Sequence, residues 1–225
     1  MSKDNFPKHV AIIPDGNRRW AKKKGRPAIE GHRYVAQTVL PNLISELAKY
    51  NVKYFTFWAL STENLVGRSK DEVDNLFNLI RFFLRNKVKE FEKKEIKFKT
   101  IGDLTQLPKD LQEEIIKVTH DTINNKKMTV IFGLNYGGRD EIIRAIKKGK
   151  NLTKENFGNY LDTAGIPDPD LIIRTGGEKR LSGFMLWQSE YSELYFSDLY
   201  FPDFTAKELE KSIINYSERQ RRFGK

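Results

Sequence analysis

Short apolar runs that each break off into a polar, mostly glycine-bearing turn set the strongest constraint on how this chain can fold. Val10–Ile13 ends at Pro14 and passes into Asp15–Gly16–Asn17, and Lys53–Leu60 passes into Ser61–Asn64. Met128–Leu134 passes into Asn135–Arg139, and Leu171–Ile173 passes into Arg174–Glu178. Between them lie stretches with apolar residues spaced in threes and fours, the helical period. Strands alternating with helices predict a mostly parallel sheet covered by helices on both faces. In such a sheet the loops leaving the carboxyl ends of the strands share one edge, and ligands gather there. The four polar turns are therefore expected to meet.

The remaining elements follow from the same patterns. Ile96–Ile101 is a further strand, ending in Gly102–Asp103. A helix is predicted over Gly31–Tyr50, kinked or broken at Pro41. Another is predicted over Ser69–Glu95, where Ser69 followed by Glu72 is a capping-box signature and the apolar face runs from Val73 through Ile80, Phe83 and Val88 to Phe91. Further helices are expected over Lys109–Asn124, after Pro108, then over Glu141–Lys148, Thr153–Leu161 and Thr205–Arg222. No repeat, linker or low-complexity tract interrupts residues 1–225, which predicts one domain with its core over about residues 8–223.

Composition narrows the chemistry. The formal charge is +10, which favours anionic partners: diphosphates, nucleic acid and anionic membrane surfaces all fit. With no cysteine, disulfides, thiolate catalysis and Cys-based metal sites are excluded. No apolar run approaches the ~20 residues needed to span a bilayer, and MSKDNFPKH lacks a signal-peptide core, so a cytoplasmic location is expected. The glycine turns match neither GxGxxG nor GxxxxGK[ST], which counts against dinucleotide and P-loop sites.

The stretch His9–Arg33 brings a carboxylate, a glycine and two guanidiniums to the end of an apolar strand. Asp15 is suited to a divalent ion, Arg18 and Arg19 to phosphate oxygens in forked pairs, and free backbone N–H groups to the rest of a cradle. A solvated βα turn leading into a basic helix explains the same residues equally well. Elsewhere on the edge, Arg174 and Arg180 supply cations, Glu193 supplies a second hard oxygen ligand for magnesium, and Ser61 and Asn64 supply polar groups. His32 belongs to the lead stretch, with a polar helix-face position as its plainer explanation. Phe57, Trp58, Leu60, Phe82, Phe83, Phe132, Phe184 and Trp187 lie near the edge in sequence. Core packing accounts for most of them, but a diphosphate site opening on an apolar pocket suits an amphiphilic diphosphate.

Five separated motifs carry a resemblance. HVAIIPDGNRRWAKKKG with EGHR, then ALSTEN, LNYGGRDEI, LIIRTGGEKRLSGFMLWQSEYSELYF and ERQRRFG resemble, in that order, the cis-prenyltransferase family, best known for bacterial undecaprenyl diphosphate synthase. The resemblance implies a single α/β domain with a central, largely parallel β-sheet flanked by helices and a hydrophobic tunnel, distinct from the Rossmann arrangement. It implies a homodimer that condenses isopentenyl diphosphate with an allylic diphosphate primer, farnesyl or geranyl diphosphate. Mg2+ would assist, diphosphate would leave and the new double bonds would be cis, in service of a polyprenyl lipid carrier. Peripheral membrane contact through the lipid product is implied, and no nucleic acid.

By the same resemblance, Asp15 holds magnesium and engages a diphosphate. Gly16, Asn17, Arg18 and Arg19 match the loop that cradles the allylic diphosphate, with Trp20, Arg26 and His32 beside it. Ser61, Thr62 and Glu63 flank that substrate, Asn64 handles a proton and Arg68 reaches the diphosphate. Arg174, Arg180, Leu181 and Ser182 match the isopentenyl diphosphate site, and Glu193 matches a second magnesium ligand contributed in the dimer. Three departures stand out. Arg18 replaces a common glycine, one extra residue precedes Arg68 in ENLVGRS, and Ala28 sits where an arginine is usual, with Arg26 two residues earlier. Leu134, bulkier than the usual alanine, and the short chain lean toward a shorter product, although Ala59 is small where the family is often small. The alternatives are a short-chain or irregular, head-to-middle prenyl diphosphate synthase, a non-catalytic subunit of a heteromeric synthase, and a basic nucleic-acid-binding module.

Overall fold

The computed structural model describes residues 5–220, without the side chains of residues 87–89 and 92. Val88 on the predicted apolar face, the end of the predicted helix at Arg222, and the last four residues of ERQRRFG lie outside the described ones.

Among the described residues six strands form one sheet in the order β3-β4-β2-β1-β5-β6, and every neighbouring pair is parallel. They are β1 (His9–Ile13), β2 (Tyr54–Ser61), β3 (Ile96–Ile101), β4 (Met128–Tyr136), β5 (Leu171–Arg174) and β6 (Glu193–Phe196). Nine α-helices connect or flank them: α1 (Asn17–Lys23), α2 (Ala28–Tyr34), α3 (Leu40–Lys49), α4 (Thr62–Gly67), α5 (Lys70–Lys93), α6 (Lys109–Asp121), α7 (Gly138–Lys148), α8 (Lys154–Phe157) and α9 (Ala206–Ser217) among the described residues.

Alternate residues of each strand enter different cores. Val10 and Ile12 face one side with Phe55, Phe57, Phe98 and Val130, where α3, α5, α6 and α9 add Leu43, Phe83, Ile115 and Ile213. Ala11, Ile13, Trp58, Ile131 and Ile172 face the other side and pack against Tyr136, Phe184 and Met185. All five residues of β1 are buried, as a central parallel strand covered on both faces requires. From β1 the chain reaches β2 on one side, and only β5 and β6 extend the sheet on the other. The carboxyl ends of β1 and β5 therefore flank the topological switch point, where crevices form.

Several boundaries differ from the sequence expectation. The helix predicted over Gly31–Tyr50 is three pieces: α2, a π-helical turn at Val35–Val39, and α3 with Pro41 in its first turn. Proline has no N–H for the i→i−4 ladder, and the wider π turn lies directly before it. Residues Ser61–Asn64 are not an open turn, because Ser61 caps α4 by accepting from the Asn64 N–H at 3.1 Å. Asn135 and Tyr136 belong to β4, whose ladder continues to Ser61↔Tyr136 through two register shifts. Phe82 and Trp187 are partly exposed at 37% and 38%, so neither is core. The helix expected over Thr153–Leu161 is shorter: a Thr153–Asn156 capping box opens α8, which is only four residues long.

Candidate active site

The site begins where β1 ends. Asp15 follows Pro14, and Gly16 adopts φ 102°; a Cβ there would lie 2.6 Å from the Tyr200 ring, so only glycine fits. That turn aims the Asp15 carboxylate at two guanidiniums. Oδ1 accepts from Arg19 Nη2 at 3.0 Å, one helical turn later, and Oδ2 accepts from Arg174 Nη2 at 2.9 Å, at the end of β5. Burial works against the Asp15 charge, but the bonds from Arg174 and Arg19 prevail and hold its carboxyl below the usual aspartate value.

Arg174 is the hub of this edge. It is 5% exposed, and its Nη1 donates to the Arg180 carbonyl at 2.6 Å and to Ser182 Oγ at 2.8 Å. One arginine thus ties the β1 turn to the segment after β5. Its Nε has no partner among the described residues.

The facing wall comes from α2 and α4. Gly31 lets α2 approach α1 so closely that a Cβ would fall 2.1 Å from the Asn17 carbonyl oxygen. The approach brings His32 beside Asn17, whose side-chain N–H donates to Pro14 O at 3.0 Å. His32 Nε2 and Asn17 Oδ1 are shielded from solvent and have no partner among the described residues. Burial, then the positive charges of Arg68 and Arg18, push the His32 pKa down to about 3, so the ring is neutral at physiological pH. From α4, Asn64 Oδ1 accepts from Arg68 Nε at 3.2 Å.

These walls enclose a cavity of about 1040 Å³. Among the described residues its mouth carries Arg18, Arg19, Lys22, Arg26, Arg68 and Arg174 against two carboxylates, Asp15 and Glu63. Its depth is apolar: Val35 and Ala36 of the π turn, Leu40, then Leu79, Ile80 and Phe83 of α5, and Phe57 and Phe132 of the sheet. Phe132 meets Phe83 at 5.1 Å and Phe57 at 5.7 Å between ring centroids, which closes the inner wall with aromatic rings. A polyanionic head at the mouth and a hydrocarbon tail inside is the ligand this arrangement suits. For magnesium, the residues fit in one respect: an ionised Asp15 faces the cavity. Mg2+ is commonly held by one or two carboxylates plus substrate phosphates. No cluster of three His, Cys, Asp or Glu side chains suited to a metal exists among the described residues.

Of the residues singled out in the sequence, Asp15, Gly16, Asn17, Arg18, Arg19, Arg26, His32, Ser61, Glu63, Asn64, Arg68, Arg174 and Ser182 line this cavity. Trp20 does not, because its indole N–H donates to Asp203 Oδ1 at 2.7 Å while its ring stacks on Tyr34. Thr62, Arg180 and Leu181 stand outside the lining. Arg180 is exposed and paired with Glu178, and Leu181 packs against the second core. Glu193 is not on this edge of its own chain. It pairs in register with Leu171, three residues before Arg174, and is bonded to Arg219 Nη1 at 2.6 Å. Leu134 is buried in the main core instead of lining the cavity. Lys22, Val35, Ala36, Leu40 and Leu79 line it without having been singled out. The i, i+1, i+4 spacing of Leu79, Ile80 and Phe83 is the one available signal, and it is also what an ordinary packed helix shows.

The comparisons with known proteins agree with this geometry. Residues 13–224 match the sequence profile of the family described as "Putative undecaprenyl diphosphate synthase". An isoprenyl transferase of Fusobacterium nucleatum is 47% identical, covering 98% of this chain and 96% of that protein. One from Clostridium perfringens is 43% identical over 100% of this chain and 92% of its own length. Among solved structures, lavandulyl diphosphate synthase from Lavandula x intermedia, in complex with dimethylallyl diphosphate, superposes with a TM-score of 0.94 at 38% identity. That match covers 99% of this chain and all of the other. A probable undecaprenyl diphosphate synthase from Campylobacter jejuni superposes at 0.81 with 36% identity, covering 97% and 99%. The chain therefore belongs to the undecaprenyl diphosphate synthase family of cis-prenyltransferases, transferases that condense isoprenoid diphosphates with the help of Mg2+.

Proposed function

We propose that this enzyme makes a short prenyl diphosphate by irregular, head-to-middle coupling, with dimethylallyl diphosphate as the allylic donor. The observation that carries this reading is the full-length correspondence to lavandulyl diphosphate synthase, with a TM-score of 0.94 against 0.81 for the undecaprenyl diphosphate synthase structure. The cavity supports it. At about 1040 Å³ it is at the upper end of pockets that enclose one drug-sized ligand, and it must also admit two diphosphate heads. Phe83 and Phe132 close its inner wall.

In this reading Asp15, Gly16, Asn17, Arg18, Arg19 and Arg26 receive the donor diphosphate, and Arg174, Arg180 and Ser182 receive the acceptor diphosphate. When bound, Mg2+ supplies charge neutralisation to the departing diphosphate, and Asp15 is the residue that would hold it. The arginines carry the rest of that neutralisation. Arg19, Arg68, Arg174 and Arg180 are held before the reaction by Asp15, Asn64 and Glu178 and need little reorganisation as negative charge develops on the leaving group. His32 stays neutral beside them and presents Nε2 as an unpartnered polar atom for a phosphate hydroxyl or an ordered water. The apolar walls keep water from the allylic cation. Arg68 orients the Asn64 amide where the acceptor loses its proton. Glu193 reaches such a site only from a second copy of the chain, so the proposal includes a dimer.

The test is product identification. Purified enzyme with magnesium and dimethylallyl diphosphate alone is expected to give a branched product of two isoprene units, identified by mass spectrometry and NMR after dephosphorylation. Long polyprenyl diphosphates formed only from isopentenyl and farnesyl diphosphate would overturn the proposal.

A further inference from the structure

The segment between β5 and β6 that carries Arg180 and Ser182 has no regular structure of its own. Gly176, Gly177, Ser182, Gly183 and Met185 along it all have positive φ. Local turn bonds, Phe184 N–H to Leu181 O at 3.0 Å and Ser189 N–H to Met185 O at 2.9 Å, shape it, and bonds to neighbouring elements hold it in place. On the cavity side Arg174 grips the Arg180 carbonyl and the Ser182 hydroxyl. On the far side Gly138 N–H donates to Gly183 O at 2.8 Å, and Phe184 stacks on Trp58 at 4.9 Å.

The third anchor is polar and fully enclosed. Gln188 Nε2 donates to both Glu141 carboxylate oxygens, at 3.2 and 3.1 Å, and to Thr163 Oγ1 at 2.8 Å. The same carboxylate accepts from Tyr136 Oη at 2.6 Å and from the Asp162 N–H at 3.0 Å. Gln188 and Glu141 are each 1% exposed, and Gln188 Oε1 has no partner among the described residues. An aliphatic side chain of similar volume would spare the unpaired Gln188 carbonyl but would take a donor from the buried Glu141 carboxylate and from Thr163. What the amide adds is direction. Glu141 repels its carbonyl, so both N–H groups must face α7 and the Thr163 turn.

We propose that Gln188 is a positioning residue that pins the far end of this segment, so that Arg180 and Ser182 present a single geometry to the acceptor diphosphate. The proposal rests on the reading of those two residues as the acceptor site.

Isopentenyl diphosphate, which carries the same diphosphate head as the dimethylallyl acceptor, serves as the probe of the acceptor site: its binding is measured by calorimetry with magnesium present and the donor site filled by one equivalent of an unreactive thiolo analogue of dimethylallyl diphosphate. Gln188→Leu is expected to weaken isopentenyl diphosphate binding about tenfold, the scale of effect expected when a remote change slightly misplaces binding groups. Affinity for the thiolo analogue should stay within about twofold, which global loosening would not allow. Thr163→Val removes one of the three acceptors and is expected to act in the same direction by a smaller factor. It carries the test if Gln188→Leu does not fold. Unchanged isopentenyl diphosphate affinity in the folded variants, or an equal loss for both ligands, overturns the proposal. Arg180→Ala separates the two claims. If it leaves binding unchanged, the acceptor-site reading falls and the pin with it. If it weakens binding while Gln188→Leu does not, only the pin falls.

Discussion

Replacing Asp15 by asparagine tests the centre of the site, because it keeps the side chain's shape and removes its charge. In the native chain the carboxylate bridges Arg19 and Arg174 at 3.0 and 2.9 Å. The two bonds differ in value. The Arg19 side chain is 43% exposed, so its pairing contributes well under about 1 kcal/mol. The Arg174 side chain is 6% exposed and that of Asp15 29%, so loss of this charge-assisted bond costs about 1–3 kcal/mol and leaves a nearly buried cation underpaired. For a chain of this length each kcal/mol moves the thermal midpoint by about 2–4 °C, so Asp15→Asn should melt a few degrees lower. Calorimetric or circular-dichroism melting at neutral pH reads this directly. Activity should fall far more than stability, since the amide neither draws the two guanidiniums together nor serves as a hard anionic ligand. Turnover within tenfold of the native enzyme at saturating magnesium would remove Asp15 from its role. An unchanged melting point would show that the Arg174 bridge holds nothing together.

Three further outcomes follow from the same geometry. Phe83→Leu opens the inner wall of the cavity and should shift products toward added isoprene units when isopentenyl diphosphate is supplied; an unchanged product distribution by mass spectrometry counts against the aromatic wall as the limit. Arg68→Met frees the Asn64 amide and should lower kcat with a smaller effect on donor KM, whereas a pure KM effect would make Arg68 a phosphate contact only. His9 is fully buried between Pro167 O and Thr56 Oγ1, and burial lowers its pKa from 6.5 to about 4. Between those values the unfolded chain binds a proton that the folded chain does not, so the folded state loses stability as pH falls from 6.5 toward 4. Denaturant unfolding of His9→Gln should show a shallower loss over that window, and an identical slope refutes the assignment.

The fold was legible because it depends on local patterns. Apolar runs of strand length separated by amphipathic stretches leave few arrangements open, and β3 matches its expected bounds of Ile96–Ile101. What escaped was set by tertiary contact. Pro41 announced a disturbance, but only packing shows that a π turn lies directly before it and directs Val35 and Ala36 into the cavity. Ser61 reads as a turn residue in the sequence, whereas its hydroxyl caps α4. At the site, the Asp15–Arg174 bond joins residues 159 positions apart, which no local motif encodes. Trp20 is adjacent in sequence to the arginines, but helix rotation turns it away from the cavity toward Asp203. That Glu193 stands away from this edge of its own chain follows from β6 running parallel to β5 with Glu193 opposite Leu171, a pairing that no local pattern encodes. Gln188 closes the apolar run Phe184–Trp187, and its amide is a weak local signal of the buried polar contact it makes.

The central claim is that this site is built for a short allylic donor, and the ratio of kcat/KM for dimethylallyl diphosphate to that for farnesyl diphosphate tests it most directly. Both would be measured with magnesium and the same acceptor. A ratio well above one, with products of two or few isoprene units, is the expected result. A ratio well below one, with long polyprenyl products, would contradict the account.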